Sequence, residues 1–147
     1  MYFSSRAGQP YPANTIFEAL YGNEGDDFLL GNPGAQNFTL DGGLGNDWII
    51  SDYNDAYSAY QSTTTYTPGQ GTTVYAGAGS DAVQGGFRDD WIDASAGHDQ
   101  VMGLEGRDYI NGGSGNDWLS GNQDDDILLG GPDTSPTESD NDTLLGG

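Results

Sequence analysis

An aspartate returns at every ninth residue through most of this chain, each time behind a run of glycines. From Ala76 to Leu129 the sequence divides without gaps into six nonads, AGAGSDAVQ, GGFRDDWID, ASAGHDQVM, GLEGRDYIN, GGSGNDWLS and GNQDDDILL. Two earlier copies stand at 22–30 (GNEGDDFLL) and 42–50 (GGLGNDWII). Their sixth positions are Asp27, Asp47, Asp81, Asp90, Asp99, Asp108, Asp117 and Asp126. A late fragment, DNDTLLGG, adds Asp142, and GNPGAQNFTL at 31–40 reads as a degenerate copy with Gln36 in the aspartate's place. Glycines at positions one, two and four permit positive φ and close backbone approach, so the turn can gather its carbonyls on the inside. Carbonyl oxygens and a carboxylate together suit a hard cation.

The chemistry open to the rest of the chain is narrow. His98, the only histidine, falls fifth in a repeat loop, where its side chain should face solvent. No nucleophile motif, zinc signature or phosphate loop is present, so no catalytic residue is assigned and the chain is not read as an enzyme. The glycines are accounted for by turns and the carboxylates by their register. No organic cofactor site is expected.

These loops need elements to hold them. Position eight is aliphatic in every copy: Leu29, Ile49, Val83, Ile92, Val101, Ile110, Leu119 and Leu128, with Leu144 in the late fragment. The last three residues of each nonad therefore alternate outward, inward and outward, as a short strand does. Two turns and two short strands make one coil of a parallel solenoid.

The pattern G-G-x-G-x-D-x-U-x resembles the RTX, or haemolysin-type, calcium-binding nonapeptide repeat. GGSGNDWLS and GGLGNDWII match it at every position. The resemblance implies an all-β fold, a right-handed parallel β-roll with two nonads per coil and calcium between stacked turns on each edge. It further implies export by the type I route and an extracellular location, secreted or at the cell surface. With two nonads per coil, Asp81, Asp99 and Asp117 should line one edge, and Asp90, Asp108 and Asp126 the other. Neighbouring pairs bracket four candidate calcium sites, completed by backbone carbonyls of Gly77, Gly79, Gly86, Gly97, Gly106, Gly113 and Gly115. Asp27 with Asp47 offers a further site and Asp142 an extension of the first column, so about four to six calcium ions are expected.

Composition agrees. The 147 residues suit one domain. With 3 Lys+Arg against 23 Asp+Glu the formal charge is −20, which excludes nucleic acid as a partner and favours cations. No stretch approaches transmembrane length, so no membrane insertion is expected, and the opening residues show no cleavable signal peptide. There is no Cys, hence neither disulfides nor thiolate ligands. At strand spacing of about 5 Å, two ionised aspartates repel by about 3 kcal/mol at an effective dielectric of about 20. A thin core must oppose that repulsion, so the chain is expected to be unfolded or expanded without calcium and to compact on binding it.

Three copies depart from the loop pattern. Arg88 and Asp124 replace the fourth-position glycine on one edge, and Ala94-Ser95 replace the first pair. A non-glycine residue at positive φ is disfavoured, so fewer or weaker sites are expected on that edge. Asp124 alternatively donates an extra carboxylate. Residues 1–21 read as an N-terminal cap, with Thr15-x-x-Glu18 as a capping-box signal, and 22–147 as the roll, interrupted at about 51–75 and 131–140. The first interruption carries Tyr53, Tyr57, Tyr60, Tyr66 and Thr63-Thr64-Thr65. It is either a surface excursion or a recognition loop for glycans or a partner.

Outward positions are apolar at both ends of the array: Phe28, Leu30, Trp48 and Ile50 early, Ile127, Leu129 and Leu145 late. Trp91 and Tyr109 should stack on one sheet. Either the insertions cover these faces or they form a protein contact. The leading expectation is a calcium-binding structural module of a secreted protein. The alternatives are a filament, surface-layer or adhesin subunit that self-associates through outward faces or open coil ends, and the calcium-binding part of a secreted protease, lipase or epimerase.

Overall fold

A computed structural model of the chain describes residues 19–31, 39–51, 71–132 and 140–147. Strands follow one another along it: β1 (Ala19–Glu24), β2 (Phe28–Leu30), β3 (Thr39–Leu44), β4 (Trp48–Ile50), β5 (Thr73–Ala78), β6 (Ala82–Gly86), β7 (Trp91–Ala96), β8 (Gln100–Leu104), β9 (Tyr109–Asn111), β10 (Trp118–Asn122), β11 (Ile127–Leu129) and β12 (Thr143–Leu145). Odd strands form one parallel sheet and even strands a second, each six strands wide and ordered along the chain. Each strand therefore pairs with the strand two nonads away, as a two-nonad coil requires. The fold is an all-β parallel solenoid.

Position eight sets the register. In the even sheet Leu29, Ile49, Val83, Val101, Leu119 and Leu144 are successive partners. In the odd sheet the ladder runs Leu20, Leu40, Val74, Ile92, Ile110 and Leu128. Because a strand's side chains alternate, only this residue of each three-residue repeat strand can enter the space between the sheets. Leu40, Ile49, Val74, Ile92, Val101, Ile110 and Leu119 are fully buried there, with Ala76 and Ala94 filling the rim of the same core.

The array is longer than the repeat pattern indicates. Leu20, within the stretch read as a cap, packs against the core, and Val74, within the stretch read as an insertion, is part of it. Thr72 stands where an aspartate would announce the nonad before Val74, so the core aliphatic is present here without its carboxylate. Thr15, Glu18, Gln36, the four insertion tyrosines, Thr63-Thr64-Thr65 and residues 133–139 lie outside the described residues.

Outside the core, Trp91 and Tyr109 stack in parallel, with centroids 6.0 Å apart and planes 2° from parallel. Tyr75 and Phe28 make edge contacts at 5.2 Å to Trp91 and Trp48 respectively. Phe28, Leu30 and Ile50 are half-buried, whereas Trp48, Ile127, Leu129 and Leu145 remain exposed.

Candidate metal centres

The loops from odd to even strands lie on one edge of the solenoid, here edge one, and the loops from even to odd strands on edge two. On edge one Asp27, Asp47, Asp81, Asp99, Asp117 and Asp142 form an unbroken column. The backbone N–H of each donates to Oδ1 of the next, at 2.8, 2.7, 2.8, 2.9 and 3.0 Å. On edge two the N–H groups of Thr72, Asp90 and Asp108 donate to Oδ1 of Asp90, Asp108 and Asp126, at 2.6, 2.8 and 2.9 Å. The two expected columns are thus present, and edge one continues through Asp47 and Asp81 across the long interruption, a gap the nonad spacing does not reveal. Asp27 and Asp142 belong to the same column.

In most of these carboxylates one oxygen is satisfied in this way and the other is not; at Asp90 Oδ2 accepts from the Gly86 N–H at 2.8 Å. Oδ2 of Asp47, Asp81, Asp99, Asp108, Asp117 and Asp126 is buried without a hydrogen-bond partner. Leaving a buried acceptor unmatched costs about 1 to 3 kcal/mol, more when it is charged, and such atoms call for an explanation such as an ion. Burial raises the pKa of these groups, to about 6 for Asp81 and about 7 for Asp99 and Asp108; backbone hydrogen bonds oppose the shift and neighbouring aspartates add to it. Asp47, Asp117 and Asp126 are shifted upward for the same leading reason. A divalent cation between the carboxylates supplies what both observations lack, a partner for Oδ2 and compensation for charge.

The turns supply more oxygen. Gly77, Gly97, Gly106, Gly113 and Gly115 all have positive φ, as does Gly79. At Gly97 the requirement is strict: φ is +156°, and a Cβ would fall on the carbonyl oxygen of Gly79 one coil away. Carbonyls of the loop glycines are thereby stacked along the edge beside the carboxylate column. No three acidic or histidine side chains converge among the described residues, so a shell here would have to combine a pair of carboxylates with carbonyls. All-oxygen ligation of flexible geometry is the environment calcium accepts, whereas structural zinc sites take Cys and His.

The departures from the pattern have different outcomes. Ser95 (φ 76°) and Asp124 (φ 75°) adopt the left-handed conformation despite their side chains, and Ala94 joins the core. Asp124 Oδ2 accepts from the Gly106 N–H at 3.2 Å. The loop containing Arg88 behaves otherwise: neither Gly86 nor Arg88 has positive φ.

A second ladder, at position five, escaped the sequence reading. The N–H groups of Asn46, Ser80 and Asn141 donate to Oδ1 of Asp26, Asn46 and Asn116 at 2.9, 2.7 and 2.8 Å. On edge two the Arg107 N–H donates to Asp89 Oδ1 at 2.9 Å. His98 belongs to this ladder: its Nδ1 accepts from the Asn116 N–H at 2.9 Å. The signal was the short polar residue that recurs at position five, overlooked beside the invariant aspartate.

A family model for the RTX calcium-binding nonapeptide repeat matches the chain in four copies, over residues 18–35, 39–52, 75–110 and 102–134. Fold, aspartate columns and this match define a calcium-binding β-roll. The chain belongs to the RTX calcium-binding nonapeptide repeat family. No curated protein and no solved structure matches it. The matched repeat is a structural calcium-binding unit rather than a catalytic one.

Proposed function

We propose that the chain is a calcium-binding structural module of a secreted, extracellular protein, and that it folds on binding calcium. The observation that supports this most directly is the repeated division of labour within Asp47, Asp81, Asp99, Asp108, Asp117 and Asp126. Oδ1 closes the coil-to-coil ladder and Oδ2 is left buried and unmatched. Asp27, Asp47, Asp81, Asp99, Asp117 and Asp142 would hold ions on edge one, with the loop carbonyls, and Asp108 with Asp126 would hold one on edge two. Several ions would neutralise much of the −20 formal charge, which otherwise opposes compaction.

Calcium titration by isothermal calorimetry, paired with magnesium, tests the proposal. Saturable binding of several calcium ions and weak binding of magnesium are expected, because magnesium demands a tighter octahedron and dehydrates reluctantly. Equal affinity for the two, or no binding of calcium, overturns it.

A second reading, end-to-end association of copies, is favoured by the last coil. Leu144 is 43% exposed although its neighbour in the ladder, Leu119, is fully buried. Among the described residues, β11 and β12 each pair on one side only. Sedimentation with and without calcium at high protein concentration tests it: assembly in calcium supports stacking, and a monomer throughout contradicts it.

A further inference from the structure

The geometry points to one loop of the roll, residues 85–90, being closed by the protein itself, so that the gap between Asp90 and Asp108 takes no calcium although it lies in the repeat. This rests on the calcium reading of the other loops. Asp90 is the exception in its column. Its Oδ1 accepts from the Thr72 N–H at 2.6 Å, and its Oδ2 accepts from the Gly86 N–H at 2.8 Å. Asp108 and Asp126, the other aspartates of that column, keep a buried Oδ2 without a partner. A carboxylate with protein hydrogen bonds on both oxygens has its lone pairs engaged and its charge stabilised, so the drive to take up a cation is weakened.

Backbone geometry argues the same way. The two other edge-two loops that lie wholly within the described residues carry left-handed residues at positions two and four, Leu104 with Gly106 and Asn122 with Asp124. Residues 85–90 have neither, since Gly86 and Arg88 are outside that region. Arg88 replaces the glycine that elsewhere adopts the large positive φ. The Gly86 N–H turns onto the carboxylate instead, and the two left-handed turns that set the carbonyls of a calcium loop are missing.

The placement of charge in the sequence points the same way. The chain has 3 Lys+Arg in all, and two of them, Arg88 and Arg107, fall in consecutive loops of edge two on either side of this gap. The backbone N–H of Arg107 donates to Asp89 Oδ1 at 2.9 Å, tying the two loops together. Positive charge carried on these two loops weakens the local acidic field and so disfavours the entry of a further cation.

Native mass spectrometry of the intact chain in saturating calcium counts bound ions and decides the matter. Arg88→Gly should carry one ion more than the parent, because the glycine allows the loop to open into the form of its neighbours. Asp90→Ala should keep the parental count, whereas Asp126→Ala should lose an ion. An unchanged count for Arg88→Gly, or loss of an ion from Asp90→Ala, overturns the inference. Should Asp90→Ala not fold in calcium, the Arg88→Gly count stands as the deciding result. Absence of any bound calcium in the parent chain contradicts the proposed function instead, so the two failures are distinguishable.

Discussion

The Asp81 N–H donates to Asp99 Oδ1 at 2.8 Å, while Asp99 Oδ2, on the same carboxylate, is buried with no partner. One side chain thus serves both the ladder that holds coils together and the oxygen pair that an ion completes. Asp99→Asn separates the two roles, since an amide oxygen still accepts from Asp81. The variant should lose the ionic ligand, worth about 1.5 to 3 kcal/mol for a charged hydrogen-bonding group, or about 10- to 150-fold in calcium affinity. In EDTA it should be more stable than the parent, because a buried charge has gone. Calorimetry and thermal melts check the pair of effects.

The stacked turns predict a sharp contrast between two glycines. A Cβ at Gly97 would fall on the Gly79 carbonyl, whereas one at Gly25 (φ +102°) meets nothing within 4 Å. Gly97→Ala should abolish the calcium-saturated fold or destabilise it by more than the cost of strained φ alone. Gly25→Ala should show only that cost, about 1 to 3 kcal/mol. Melting curves in saturating calcium measure both.

Much of this arrangement was legible in the chain. A period of nine separates aspartates that alternate between edges and aliphatics that alternate between sheets, so Asp81, Asp99 and Asp117 could be placed together before any coordinates. What stayed hidden depended on contacts between coils. Asp47 is followed by Asp81, a separation lengthened by residues whose number says nothing about which coils meet, and Val74 lacks its aspartate. Arg88 and Asp124 look alike as replacements of glycine, yet only Asp124 keeps the left-handed turn. The difference lies in the Gly86 N–H, and backbone direction is not written in the repeat pattern.

Core positions should be far more sensitive than their outward neighbours. Ile110→Ala removes a fully buried side chain from a core one residue thick per strand, with an expected loss of about 2 to 5 kcal/mol. Ile127→Ala alters a side chain that is 57% exposed and should change stability by about 0.5 kcal/mol or less. Calcium-saturated denaturation curves compare the two directly.

Acid should stabilise the calcium-free chain. Asp81 is raised to about 6, and Asp99 and Asp108 to about 7, from 3.8. A carboxyl whose folded pKa is raised binds its proton more tightly when folded, so its contribution is complete below about pH 4 and is lost as pH rises through 6 to 7. The folded fraction in EDTA, read as strand signal, should therefore climb from pH 8 toward pH 5. Apparent calcium affinity should fall over the same interval, because protons and calcium compete for the same oxygens. Circular dichroism and titrations at pH 8, 6.5 and 5 test the opposed trends.

Far-UV circular dichroism through a calcium titration at neutral pH, reversed with EDTA, tests the coupling of folding to the ion most directly. The aspartate columns predict weak strand signal without calcium, a cooperative gain as it is added, and loss of that signal on chelation. Strand signal and melting temperature that are the same in EDTA and in calcium would contradict it.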